Sequence, residues 1–176
     1  MQNKETGNLI KQALRRDPDS FTELMQGYMK DRYRVALAIL MNDEDAADAI
    51  QDTILTCWEK IDSVKHVLYF KTWMIRILIN KCYDIRRKTE RITNLDNYVE
   101  PVACDEYNLE LKEALSMLDE KYRITIILFY TQGYRIKEIA RILKIPPSTV
   151  QTRLQRGRDK LAEYYGDVKE RSKSYG

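Results

Sequence analysis

Apolar side chains recur every three or four positions along most of the chain, the period of an amphipathic helix; alternating strand patterns are scarce. With only 6 Gly and 4 Pro to interrupt it, the pattern divides into few, long elements. Residues 5–16 read as a short helix ending at Asp17-Pro18, and Asp19 or Ser20 is the candidate cap of a long helix from Phe21 to Met41. Asn42-Asp43-Glu44 breaks it, and a further helix runs from Asp45 to Lys60. Residues 62–68 form a connection, followed by a basic helix from Tyr69 to Lys88. Helices are expected near 107–118 and 119–131, the latter closed by Gly133. The β-branched run Ile124–Tyr130 suggests a strand, but its helical neighbours and the lack of partner strands favour a buried helix. The polar tail from Gly166 is expected to fray.

Residues 134–160, YRIKEIARILKIPPSTVQTRLQRGRDK, carry the sharpest local signal. Ile136, Ile139, Ala140 and Leu143 share one side of a first segment; Val150, Leu154 and Leu161 follow helical spacing in a second. Lys144-Ile145-Pro146-Pro147 between them leaves room only for a sharp corner, the layout of a helix-turn-helix. Pro147 disfavours helical geometry at Pro146, so the two helices cannot be continuous. The second helix starts either with a Ser148–Gln151 capping box or with Pro147 as its first helical residue. Either start leaves free amides suited to a phosphate. Lys144 stands at the corner, where a left-handed backbone costs roughly 1 kcal/mol. With Val150 and Leu154 buried, Gln151, Thr152, Gln155, Arg156 and Arg158 face outward, side chains fit for base edges and phosphates. Arg153, Arg156, Arg158 and Lys160 cluster against one local acid, Asp159.

Composition narrows the classes. The 176 residues suffice for one domain or two small ones, and a net charge of +3 makes the chain no polycation. Cys57, Cys82, Cys104 and the single histidine, His66, match no zinc spacing, so reduced thiols in a cytoplasmic protein are expected. There is no apolar run at MQNKETGNLIKQ to act as a signal peptide and none near the ~20 residues of a membrane span. No Walker loop, nucleophile–base signature or metal cluster is present, so neither an enzyme nor a cofactor is expected.

Charge is distributed unevenly. On 45–61, Ala46, Ile50, Ile54, Cys57, Trp58 and Ile61 share one arc, while Asp45, Asp48 and Asp52 share another, bordered by Gln51 and Leu55. That stripe is either a solvated face or a docking surface for a basic partner, with Leu55 as an anchor. On 69–88 the sign reverses: Arg76, Lys81, Arg86, Arg87 and Lys88 face only Asp84, with Tyr69, Phe70, Trp73 and Tyr83 interleaved. Cations attract phosphates and flat rings stack on exposed bases. Trp73 suits core packing equally well, whereas Asn80, Lys81, Arg86 and Arg87 are the better nucleic-acid candidates. Residues 92–108 hold Asp96, Glu100, Asp105 and Glu106, no basic residue and Pro101. They read as an acidic flexible linker. The expected fold is therefore all-α, two small helical domains joined by that linker, the second containing the helix-turn-helix. The boundaries fall at 1–91, 92–108 for the linker, 109–166, and 167–176 for the tail.

These pieces meet in one family. DAADAIQDTILTCWEKI at 45–61 resembles the polymerase-docking helix of bacterial sigma factors. YFKTWMIRILINKCYDIRRK at 69–88 resembles the adjoining promoter-melting and −10-recognition segment, and 118–161 resembles the −35-reading domain. Over about 20–165 the chain is similar to the extracytoplasmic-function (ECF) class of the sigma-70 family. Departures are Asp119 for a frequent proline, Lys144 for a turn glycine, Ser148 for another small residue and Gly157 for alanine. Gln151 and Gln155 stand at positions often basic, aromatic or histidine. These bear on which −35 sequence is read more than on whether one is read.

The resemblance implies a dissociable specificity subunit with no active site. Asp45, Asp48, Gln51 and Asp52, beside Leu55, would dock on core RNA polymerase (β′ and β subunits), chiefly on a basic coiled coil of β′. The 62–69 connection and the helix after it would meet the −10 element, where a base is flipped into a pocket. His66, Tyr69, Trp73, Asn80, Lys81, Asp84, Arg86 and Arg87 are the candidates there. Ser148, Thr149, Gln151, Thr152, Arg153, Gln155, Arg156 and Arg158 would hold the −35 element of promoter DNA. The acidic linker would imitate a phosphate chain in the polymerase RNA channel, or serve only solubility. The resemblance also implies control by an anti-sigma factor, membrane-anchored in many such systems, and a role in stress response. The rival reading is a stand-alone helix-turn-helix regulator that binds DNA as a symmetric dimer; it leaves the acidic stripe unexplained.

Overall fold

The computed structural model describes residues 2–93 and 113–174, with side chains for 5–92 and 113–166. The described residues are helical and contain no strand. They fall into two compact units, one on each side of the undescribed stretch. Most of the expected linker, 94–108, lies outside the described residues, while Ile92 and Thr93 continue the preceding helix.

The first unit begins with α1 (Gln2–Ala13) and a turn in which Arg16 is left-handed, φ 62°. The cap of α2 (Pro18–Leu40) is Asp17, not Asp19 or Ser20, which lie inside the first turn. Pro18 explains the shift: its fixed φ suits the first helical position, so the cap must precede it. The Asp17 carboxylate accepts the Ser20 amide at 2.9 Å, and these Ser20 hydrogen bonds hold its pKa below the usual carboxylate value. Met41, φ 53°, ends α2 by donating its amide to Leu37 O. Asn42 then accepts the Asp45 amide at 2.9 Å and starts α3 (Asp43–Glu59), whose first turn is Asp43-Glu44-Asp45. Those acids complement the partial positive charge at a helix N-terminus. Two short 3₁₀ turns, Ile61–Ser63 and Val67–Tyr69, lead into α4 (Phe70–Thr93).

These helices enclose a core of Phe21, Leu24, Met25, Met29, Cys57, Ile61, Phe70 and Met74. One expectation shifts here. The buried face of α3 is Ala46, Ala49, Thr53 and Cys57, while Ile50, Ile54 and Trp58 are only half-buried at its border. Periodicity weights bulky apolar residues, so it passed over Thr53, fully buried because its hydroxyl donates to Ala49 O at 2.6 Å.

In the second unit, helical residues 113–116 (α5) precede α6 (Glu120–Ile126), which runs into a π-type turn, Ile127–Thr131. The run 124–130 is thus helical, and Ile124 to Leu128 are buried on every side. Burial all round, not strand geometry, accounts for its largely apolar character. Buried Arg123 donates Nη1 to Leu115 O at 3.1 Å and Leu118 O at 3.0 Å, satisfying carbonyls where α5 ends. Gly133, φ 68°, turns the chain into α7 (Ile136–Leu143). Lys144 is left-handed, φ 55° and ψ 46°, as the corner requires. α8 (Pro147–Ser174) starts at the proline. The Ser148 capping box is therefore absent; Ser148 lies in the first turn and its carbonyl accepts the Thr152 hydroxyl at 3.0 Å. The helix also continues past Gly166, where fraying was expected.

Candidate nucleic-acid and protein interfaces

On α3, Asp48, Gln51 and Asp52 are exposed, Asp45 is half-buried, and Leu55 is 63% exposed beside them. Burial, then the neighbouring Asp48 and Glu44, raises the Asp45 pKa. Asp48, Gln51 and Asp52 do not stand on a separate surface. They line a groove of about 430 Å³ with Ile85, Lys88 and Thr89 of α4. Asp52 also borders a second groove, about 260 Å³, with Lys81, Asp84, Arg87, Lys88 and Arg91. The contrasting surfaces read from the sequence meet along the α3–α4 seam. The basic residues are partly engaged within their own helix: Arg87 pairs with Asp84, Arg86 lies 3.6 Å from Glu90, and its guanidinium sits 4.9 Å from the Tyr83 ring centre.

The connection between α3 and α4 presents an apolar tip. Leu68 is 79% and Tyr69 64% exposed, whereas Val67 is half-buried and Phe70 buried. The His66 Nδ1 accepts the Leu68 amide at 3.2 Å, and its ring meets Tyr69 edge-on, 6.0 Å between centres. The sequence reading missed Leu68. The available signal was Val67-Leu68-Tyr69-Phe70, four apolar residues in a segment too short to bury them all. Trp73 is half-buried; its Nε1 donates to Ser63 Oγ at 3.1 Å and its ring packs 5.7 Å from Phe70. Its indole edge thus anchors the connection. Arg16 adds a second anchor, also missed: it donates to Asp62 through Nε at 3.2 Å and lies 5.7 Å from the Trp58 ring centre. Asn80 and Asp84 are exposed and Lys81 half-buried on α4.

On α8, Val150 and Leu154 are buried as expected, and Ser148, Gln151, Thr152, Gln155, Arg156 and Arg158 are exposed. Thr149 and Arg153 are half-buried. Gly157 is a correction. It faces Ile126 inside the unit, so its departure from the family bears on packing, not on base reading. Arg156 bonds the Tyr122 hydroxyl and holds that phenol pKa below its ordinary value. Lys121 and Lys160 lie 5.0 and 5.8 Å from the Tyr122 ring centre, so three cations gather on one tyrosine. Arg158 donates Nη2 to Gln155 Oε1 at 2.7 Å and Nη1 to the Tyr130 hydroxyl at 3.2 Å. Gln155 Nε2 donates in turn to Asp159 at 2.8 Å.

With this geometry in place, similarity to known proteins is specific. Residues 24–92 match the Sigma-70 region 2 family and residues 108–161 match Sigma-70, region 4. The ECF RNA polymerase sigma factor SigW of Bacillus subtilis is 30% identical over 90% of this chain and 96% of its own. The ECF RNA polymerase sigma factor SigM of Mycobacterium tuberculosis is 30% identical over 85% of this chain and 79% of its own. A solved structure of the sigma factor RpoE of Bartonella quintana, in complex with the anti-sigma factor NepR, superposes with a TM-score of 0.73 at 28% identity. It covers 81% of this chain and 94% of that one. CnrH, solved with the cytosolic domain of CnrY, shares the fold with a TM-score of 0.72 at 23% identity. The chain belongs to the sigma-70 family, as an ECF-class RNA polymerase sigma factor. It is a non-enzymatic subunit that binds core polymerase and promoter DNA to direct initiation. No helix among the described residues is long and apolar enough to cross a membrane.

Proposed function

We propose how this sigma factor divides its work. The first unit, residues 1–91, docks on core polymerase through Asp45, Asp48, Gln51, Asp52 and Leu55. It engages the −10 element through His66, Tyr69, Asn80, Lys81, Asp84, Arg86 and Arg87, with Trp73 holding the connection. The second unit, 109–166, holds the −35 element through Ser148, Thr149, Gln151, Thr152, Arg153, Gln155, Arg156 and Arg158. The observation that carries this reading is the split of α8, with Val150 and Leu154 buried and a polar, basic face turned outward beyond the Lys144 corner. A helix so presented fits the major groove.

The exposed Leu68–Tyr69 tip supports the −10 assignment, because apolar and aromatic side chains held in water suit unstacked bases. Regulation is read from relatives: RpoE and CnrH were solved with an anti-sigma factor and with CnrY. We place this chain in the cytoplasm, held by an anti-sigma factor that a membrane anchor retains, and released in a stress response. Pull-down of a tagged chain with core polymerase, followed by transcription from a library of promoters, tests the assignment. It predicts association lost on Asp48 and Asp52 reversal, and −35 choice altered by changes on the outward face of α8.

A further inference from the structure

Gln155 is held at both ends of its side-chain amide. Arg158 Nη2 donates to Oε1 at 2.7 Å, and Nε2 donates to Asp159 at 2.8 Å. Arg158 can only donate and an ionised Asp159 can only accept, so the reversed amide would face donor with donor and acceptor with acceptor. Arg158 is itself held from another helix, through Nη1 to the hydroxyl of Tyr130, which is 55% exposed.

We infer that Tyr130, through Arg158, and Asp159, directly, are positioning residues for promoter reading, fixing the direction in which the Gln155 amide presents donor and acceptor to a base edge. A glutamine amide distinguishes bases by that order: the bidentate pattern for adenine needs oxygen toward N6 and NH₂ toward N7. A freely flipping amide offers both orders and blurs the choice. Tyr130 achieves this without entering the recognition helix, and its ring lies edge-on to Phe129, 4.9 Å between centres, a contact that does not involve the hydroxyl. Asp159 has the wrong sign for a phosphate contact, and the network gives that lone acid on a basic face its use.

The inference rests on α8 being the −35 helix, and the test separates the two. The full chain, with core polymerase, transcribes a promoter library randomised at the −35 element. Variants are Tyr130→Phe, Asp159→Ala and, alongside, Gln155→Ala. Expected is a fall in base preference of at least about threefold at one −35 position for Tyr130→Phe and Asp159→Ala. That position is the one Gln155→Ala flattens, with preferences elsewhere and the melting temperature unchanged. If Gln155→Ala flattens a position and the other two variants keep the wild-type profile, the positioning role is overturned. If Gln155→Ala itself leaves every position unchanged, the reading of α8 at this residue fails with it. A uniform loss at all positions, with a lowered melting temperature, would make the contacts merely structural and also overturn the inference.

Discussion

Gly157 of α8 lies so near Ile126 of α6 that a Cβ on it would sit 3.0 Å from the isoleucine Cγ1 and 3.1 Å from its Cδ1. Two terms oppose each other at this contact. Alanine favours a helix over glycine by about 1 kcal/mol, and against that gain the buried Ile126 side chain, Cγ1 as well as Cδ1, must give by a few tenths of an ångström. Gly157→Ala is therefore predicted to stay within about 1 kcal/mol of the parent. Gly157→Leu brings several more atoms into the same space and is predicted to cost about 2 kcal/mol, within the usual range for overpacking. Urea unfolding of both variants checks this; a leucine variant as stable as the parent would contradict the packing.

Asp48 and Asp52 share their groove with Lys88. Reversing both to lysine puts three cations along it and removes the negative face offered to polymerase. Both aspartates are exposed, so the cost to stability is predicted to be under about 1 kcal/mol. Co-purification with core polymerase is predicted to disappear while the unfolding midpoint holds. Retained co-purification would contradict the docking role.

Arg156 is tied to Tyr122, with Lys121 and Lys160 around the same ring. That placement suits a phosphate better than a base edge. Arg156→Ala is predicted to weaken promoter binding evenly across −35 sequences and to reduce the salt-dependence slope by about 1. Binding measured over a salt series checks both; a change confined to one base position with an unaltered slope would contradict it.

Much of this architecture is legible in the residues because it depends on local rules. The Asn42 break, the Lys144 corner and the Val150–Leu154 stripe follow from capping, steric and periodic preferences that act within a few positions. What was not legible depends on distant partners. Gly157 is core because Ile126 lies against it; Thr53 is the local exception, a polar residue whose hydroxyl its own helix satisfies. The Trp73–Ser63 and Arg16–Asp62 anchors join residues whose pairing no spacing announces. Charge sign sets α3 apart from α4, but only packing shows that Asp52 and Lys88 line one groove.

Cys57 and Cys82 are fully buried, and burial pushes both thiols up to about 12. An unfolded thiol ionises near its ordinary value of 9, so between those limits the unfolded chain gives up protons that the folded chain keeps. Their contribution is intact below about pH 9 and is lost as pH rises toward about 12. Native chain at pH 8 is predicted to leave both thiols unalkylated until denaturant is added. Mass spectrometry after a timed pulse of iodoacetamide reads this directly; prompt labelling at Cys57 or Cys82 would contradict their burial.

The central claim is that the acidic face of α3 in the first unit grips polymerase while the outward face of α8 in the second reads the −35 element. Its most direct test is reconstituted transcription by core polymerase with the Asp48→Lys/Asp52→Lys chain and, separately, a Gln151→Ala/Gln155→Ala/Arg158→Ala chain. The first is predicted to give no promoter-specific starts because no holoenzyme forms. The second is predicted to form holoenzyme at the parent level and yet lose discrimination among −35 sequences. Normal promoter choice by the second chain, or normal starts from the first, would contradict the division.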